Sequence, residues 1–338
     1  MIAERLTSQL LSGPPAHDPV AVAERLLAIQ GQDPRGARLA VRARTKGLTA
    51  ADVDRALTID RSLLITWLNR GTLHLVRSED YPWLHALTTP TLLTGNARRL
   101  AQLGVTPSAA DRGVTVIERS LAQVGPLTGK QLRERLRAAK VRADGQALAH
   151  VVGLAALRGV LVRGPMVGKQ HAYVLARDWL GDAPAVDRDT ALAELARRYL
   201  AGHGPADDRD LAKWAGLPLR DARAGLAAIS PELEQRGGVL VQLKKAPPAA
   251  ELPPPRLLGA FDPVLLGWTS RQDIVGSHGR LIADNGLFRP FALVRGKAVG
   301  TWSLRARNVV LTPFDRLTRA DAAALNTDAA AVAQFLVP

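Results

Sequence analysis

The chain has 338 residues, a hydrophobic share of 47% and a formal net charge of +14, with 45 Lys and Arg against 31 Asp and Glu. This length calls for two to four modules of about 100 residues each, and the apolar share excludes wholesale disorder. The absence of cysteine excludes disulfides, thiolate zinc sites and a cysteine nucleophile and fits a reducing cytosol, while the mostly arginine excess points to a polyanion, nucleic acid first.

The N-terminal stretch MIAERLTSQLLSGPP carries Glu4 and no long apolar run, so no signal peptide is expected. No stretch approaches the roughly 20 apolar residues of a membrane span. A cytoplasmic, nucleoid-associated protein is expected. An amphipathic helix follows over DPVAVAERLLAIQ and should end near Ile29, because Gly31 breaks it. Asp33 is a good N-cap and Pro34 suits a first helical turn, so a second helix begins there. Arg35, Arg38 and Arg42 then fall at three- and four-residue steps on one face. Gln30 and Gln32 stand on the elbow, beside the positive end of the new helix dipole, as two neutral amides that each donate and accept.

Next, GLTAADVDRAL reads as a short helix opened by Thr49. DRSLLITWLNRGTLHLV reads as a longer helix, closed at Gly71 and followed by a strand. The grammar recurs. RGVTVIERSLAQVGPLTGKQLRERLRAA, then GQALAHVVGLAALRGVLVRG, then HAYVLA repeat it with Thr128 as cap and Gly159 as stop. TALAELARRYLAGHGPADDRDLAKWAGLP, LRDARAGLAAI and RGGVLVQL repeat it again, with Asp207 or Asp208 as cap and Gly237 as stop. Helix, helix-turn-helix and small hairpin is the order of a winged helix. The expectation is three in tandem, at 1–105, 106–183 and 184–248. Three unrelated helical hairpins are the alternative, and the recurrent Arg-Gly-strand ending counts against it. The proline-rich KKAPPAAELPPPRLL cannot be regular helix and reads as a linker. Beyond it lies a small β-rich region, 249–338, in which FALVRGKAVGTWSL makes a hairpin about Arg-Gly-Lys. The expected fold class is α+β, mainly helical.

Standard chemistry signatures fail. GPMVGKQ has glycines too close for a phosphate loop, and Gln170 stands where Ser or Thr would hold magnesium. The seven histidines are scattered without a His-Glu-x-x-His pair. There is no Gly-x-Ser-x-Gly elbow, and a magnesium nuclease would lack its carboxylate cluster. On these residues alone, a winged-helix transcription regulator and a non-catalytic lesion-binding protein both stay open. A regulator would prefer one sequence over random DNA by about a thousandfold or more.

The stretch around the two glutamines also carries a resemblance. Gln30-x-Gln32 followed by DPR, WLNRGTLHLV (67–76), FDPVLLGW (261–268) and NGLFRPFALVRGKAVGTW (285–302) occur in that order. Together they are similar to the AlkZ/YcaQ-like winged-helix DNA glycosylases, over nearly the whole chain. The resemblance implies a C-shaped protein that cradles double-stranded DNA and hydrolyses the N-glycosidic bonds of alkylated purines. The family motif is Gln-x-Gln or Gln-x-Asp. The Gln-x-Gln branch, present here, includes enzymes that remove bulky adducts and unhook interstrand crosslinks made by natural products, in repair or in antibiotic self-resistance. Gln30 and Gln32 are thus the expected catalytic residues, acting on N7 or N3 adducts. Arg35, Arg38 and Arg42 are expected to grip backbone phosphates. Trp67, Arg70 and His74 in the second block, and Arg271 after the third, are further expected DNA contacts. A monomer without cofactor, metal or membrane is expected. Aromatics are 4% of the chain, and Trp67 alone lies between Gln30 and Tyr81, so no tight aromatic pocket for a flipped base is expected.

Overall fold

Four helices open the chain in a computed structural model that describes residues 1–168, 170–182, 186–277, 281–282, 287–306 and 308–336. Lys169 of the glycine-rich stretch, and Asn285 and Gly286 of the fourth block, lie outside the described residues. The opening helices are α1 (Ile2–Ser8), α2 (Pro19–Leu26), α3 (Pro34–Arg42) and α4 (Ala50–Thr58), with strand β1 (Ile29–Gln30) between α2 and α3. Strands β2 (Leu63–Leu68) and β3 (Thr72–Arg77) lead to α5 (Tyr81–Thr88), α6 (Pro90–Gln102), α7 (Pro107–Val124), α8 (Gly129–Ala138) and α9 (Gln146–Leu157). Then come β4 (Leu161–Val167), β5 (Gln170–Leu175), α10 (Ala176–Leu180), α11 (Arg188–His203), α12 (Asp208–Ala215) and α13 (Leu219–Ala228). The C-terminal part holds β6 (Leu233–Gln235), β7 (Val241–Leu243), β8 (Arg256–Leu258), α14 (Pro263–Leu266) and α15 (Gln272–Val275). It ends with β9 (Phe291–Val294), β10 (Lys297–Arg305), β11 (Asn308–Pro313) and α16 (Arg319–Phe335). The fold is α+β and 52% helical.

Three times along the chain, three helices are followed by an antiparallel hairpin: α2–α4 with β2–β3, α7–α9 with β4–β5, and α11–α13 with β6–β7. Local chemistry sets the helix starts. Thr128 opens α8 through a capping box with Gln131, and Asp207 opens α12 through one with Asp210. Gly159, at φ +73°, stops α9 ahead of β4.

One expected helix is a strand. The segment 63–68 pairs from Leu63 opposite Arg77 to Leu68 opposite Thr72. Leu-Leu-Ile-Thr-Trp-Leu is a six-residue apolar run with β-branched and aromatic members, which suits a buried strand and is short for a helix. Gly71 therefore sits in a hairpin turn rather than at a helix end. Arg70 (φ +57°) and Gly71 (φ +74°) supply the two positive φ values of a type I′ turn. Gly237 likewise lies in the β6–β7 turn, at φ +80°.

The chain divides into two compact units, Met1–Asp54 with Leu192–Pro338, and Arg55–Ala191. In the second unit the strands run β3-β2-β4-β5, all antiparallel. α7, α8 and α9 close a core that includes Leu132, Leu136, Val151, Ala155 and Leu161. In the first unit β11-β10-β9-β8 form an antiparallel sheet, with α16 and α3 packed against β8. The hairpin expected about Arg295-Gly296-Lys297 is β9–β10. Among the described residues no helix is long and apolar enough to cross a membrane. None of their His, Asp and Glu side chains form a group of three that could hold a metal ion.

Candidate active site

The two glutamines lie in the first unit, where the chain turns from α2 into α3. Asp18 opens α2, its Oδ1 accepting the Ala21 N–H at 2.7 Å, with Pro19 in the first turn. The helix ends at Leu26, three residues before the expected Ile29, and Gly31 is not what stops it. Leu27 does, at φ +63° and ψ −50°, while the Ala28 N–H donates to the Leu26 carbonyl at 2.7 Å. That is a γ-turn of the rare positive-φ kind. Such a conformation costs a leucine about 1–3 kcal/mol, and it persists where the surroundings over-determine it. Here Leu26, Leu27 and Ile29 are all fully buried. Behind them a Cβ at Gly202 of α11 would lie 2.3 Å from the Arg25 carbonyl oxygen, so only glycine lets α11 back this bend.

The bend delivers Gln30 onto β1, with its residue 8% exposed. Gly31 is buried and Gln32 exposed. Asp33 then caps α3, its Oδ1 accepting the Arg35 N–H at 3.0 Å, and Pro34 takes the first turn as the sequence indicated. One amide is thus held in a low-dielectric setting and the other faces solvent beside the positive helix end. Asp33 spends its carboxylate on the helix start.

α3 is fixed along its length. A Cβ at Gly36 would come 2.4 Å from the Ala260 carbonyl oxygen, so α3 touches the 259–260 backbone directly. Just past α3, Arg44 is 0% exposed and all five of its N–H groups are satisfied. They go to Gln9 O (2.7 Å) and Gln9 Oε1 (2.9 Å), to Ala40 O (2.9 Å), and to both oxygens of the equally buried Asp262 (2.9 and 2.8 Å). Asp262 also caps α14 through the Val264 N–H. The FDPVLLGW block therefore clamps the end of the helix that follows the Gln-x-Gln corner. The sequence does not mark Leu27 or the Arg44–Asp262 pair as parts of the site. Asp262-Pro263 before an apolar run was a cap signature in plain view, whereas nothing marks a leucine for a γ-turn.

The expected solvent-facing arginine strip is corrected. Arg35 is exposed, but Arg38 and Arg42 are not. Arg38 pairs with Asp54 and donates to the Pro34 carbonyl at 2.8 Å. Arg42 holds both Asp328 oxygens (3.0 and 2.8 Å) and the Leu257 carbonyl (3.2 Å). Both guanidinia are engaged by carboxylates of the chain itself, Asp54 at the surface and the more buried Asp328, and Arg35 is the exposed arginine of the three. Arg271 also lies in the first unit. Its Nε donates to the Leu265 carbonyl at 2.7 Å, its guanidinium stands 5.1 Å from the Phe288 ring centre, and burial lowers its pKa.

Trp67, Arg70 and His74 belong to the second unit, on the β2–β3 hairpin. Trp67 stacks on Tyr173 with ring centres 6.5 Å apart, and Arg163 stands 5.9 Å from its ring. Tyr81 is buried, and burial raises its pKa. Arg70 is half-buried in the hairpin turn. His74 is 2% exposed, and its Nδ1 lies 3.0 Å from the Thr72 carbonyl. Burial first, and Arg70 second, lower its pKa to about 3. It is neutral in the folded chain at neutral pH. Because the folded value lies below the unfolded one, its contribution to stability is complete above about pH 6.5 and is lost as the pH falls towards 3. At pH 5 this amounts to about 2 kcal/mol. Urea unfolding at pH 7 and pH 5 should show that loss in the wild type, and a His74→Gln variant should lose correspondingly less.

A family profile described as "DNA glycosylase AlkZ-like" matches residues 23–335. The "Interstrand DNA cross-link repair glycosylase" of Streptomyces sahachiroi is 30% identical over 361 residues, covering 99% of this chain and 95% of that protein. The solved structure described as "Streptomyces sahachiroi DNA glycosylase AlkZ" superposes with a TM-score of 0.81 at 27% identity, over 99% of this chain and 95% of that one. Both likenesses run over nearly the whole chain. The chain belongs to the AlkZ-like DNA glycosylase family.

Proposed function

We propose that this DNA glycosylase hydrolyses the N-glycosidic bonds of cationic N7- or N3-alkylated purines in duplex DNA, bulky adducts and interstrand crosslinks among them. The observation that carries the reading is the Gln30-x-Gln32 corner, built by a strained bend and followed by a helix that one buried ion pair, Arg44–Asp262, clamps. The relative from Streptomyces sahachiroi, named for crosslink repair, supports the crosslink part.

Glycosidic hydrolysis ordinarily needs an acid to help the leaving group depart. A purine alkylated at N7 or N3 already carries a positive charge, and the electron pair of the breaking bond neutralises it. What remains is to hold a water against C1′ and to favour the oxocarbenium-like sugar. A glutamine carbonyl accepts a hydrogen bond from that water and turns its oxygen towards C1′, and its dipole favours the nearby cation. The water proton leaves to solvent, and the products are an abasic site and a neutral base. Gln30 and Gln32 share this work, with no metal or cofactor called for.

Asp33 lies next to the pair and acts as a cap, so Asp33→Asn, which preserves capping, should leave single-turnover base release within about threefold of wild type. A general-acid or general-base role would instead cost 10²-fold or more. Arg35→Ala should weaken binding to modified and unmodified duplexes alike and lower the salt dependence by about one counterion, as measured by fluorescence anisotropy over a salt series.

The proposal keeps three winged-helix modules at 1–105, 106–183 and 184–248 and a β-rich region from 249. The threefold order of helices and hairpin supports it. To test the function, the protein is incubated with DNA carrying 7-methylguanine and, separately, with a crosslinked duplex, and alkali-labile sites are scored. Strand breaks at the adducts are expected. Tight binding without breaks on either substrate would leave a lesion-binding protein.

A further inference from the structure

A cavity of about 560 Å³ lies in the first unit at the C-terminal end of α3, away from the Gln-x-Gln corner at its N-terminal end. Its lining includes the apolar Leu10, Pro254, Pro255, Ala331 and Phe335. It also includes the cationic Arg42, Arg44, Lys46 and Arg256. The carboxylates nearby are already used. Asp328 accepts from two N–H groups of Arg42 and from the Leu257 N–H, and Asp262 accepts from Arg44 and the Val264 N–H.

Arg256 is left over. It donates to the Ala43 carbonyl, and no carboxylate among the described residues forms an ion pair with it. Burial lowers its pKa, with Asp328 opposing and Arg42 and Arg44 adding to the effect. The Nε of Arg42 is a buried donor without a hydrogen-bond partner. A half-buried guanidinium with no direct ion-pair partner is costly to maintain, and the cavity beside it offers room for one.

We propose that this cavity binds a small organic anion, a phosphate or carboxylate head on an apolar body, with Arg256 and Lys46 holding the head and the proline-lined wall taking the body. Guanidinium and anion would meet in a charge-assisted, two-pronged pair of the kind Arg makes with phosphate and carboxylate.

The test uses the full chain and phenyl phosphate as probe, with phenol and inorganic phosphate as its two halves, read by calorimetry and thermal shift. Phenyl phosphate should bind with a Kd of about 1 mM or tighter, about tenfold or more tighter than either half. Arg256→Gln should weaken it by about tenfold or more. Lys46→Gln, at an exposed position that spares the fold, should weaken it several-fold, and Ala331→Trp should abolish it by filling the space. No saturable binding, or equal binding to the Ala331→Trp protein, would overturn the proposal. So would an equal loss in Ala331→Trp of affinity for an unmodified duplex, because the anion would then be the DNA backbone.

Discussion

Replacing Gln30 with alanine is expected to slow single-turnover base release by about 10²–10³-fold, with the melting temperature little changed. The size follows from what one preorganised hydrogen-bonding group contributes in a water-poor site. Gln30 is 8% exposed and is set on a strand that a γ-turn and a cap hold from either side. Its amide therefore does not have to be ordered at the moment of reaction. Gln32 is exposed and competes with bulk water, so its alanine variant should lose about tenfold. If both amides hold one water, removing the second after the first costs little more, and the double variant should resemble Gln30→Ala. Chemical-quench time courses on a 7-methylguanine duplex measure all three.

The second large effect is on stability. Asp262→Ala leaves the Arg44 guanidinium uncompensated where both residues are 0% exposed, and loss of one partner from such a pair costs about 3–5 kcal/mol. The loss should register in urea unfolding. It should also slow base release in whatever fraction stays folded, because Arg44 and Asp262 tie the end of α3 to the stretch that α3 touches at Gly36. An Arg44→Met, Asp262→Leu double variant should recover much of the stability, since an apolar pair carries no stranded charge. A loss as large as the single variant's would mean that the hydrogen bonds to Gln9 and Ala40 dominate instead.

What could be read from sequence was local. The Asp33-Pro34 start of α3, the Thr128 cap, a cap at Asp207 or Asp208 and the Arg-Gly-Lys hairpin each depend on residues within a few positions of one another, and each is present, the third at Asp207. The end of α2 was misplaced because Leu27 adopts a turn that only surrounding packing can impose. The segment 63–68 was misread because a short apolar run fits a helix and a strand equally until its partner, 72–77, is paired with it. The arginines of α3 looked like a phosphate-gripping strip because their true partners are distant. Asp54 is 16 positions from Arg38, and Asp328 is 286 from Arg42. Charge spacing on one helix says nothing about carboxylates that the fold brings in from elsewhere.

The most direct measurement compares base release from two matched duplexes, one carrying cationic 7-methylguanine and the other its uncharged isostere 7-methyl-7-deazaguanine. If a charged leaving group needs only a water held by two amides, the first is cleaved and the second is not, with rates apart by about 10³ or more. Comparable rates on the two would contradict the account, because an enzyme that expels a neutral base must supply an acid that this corner does not have.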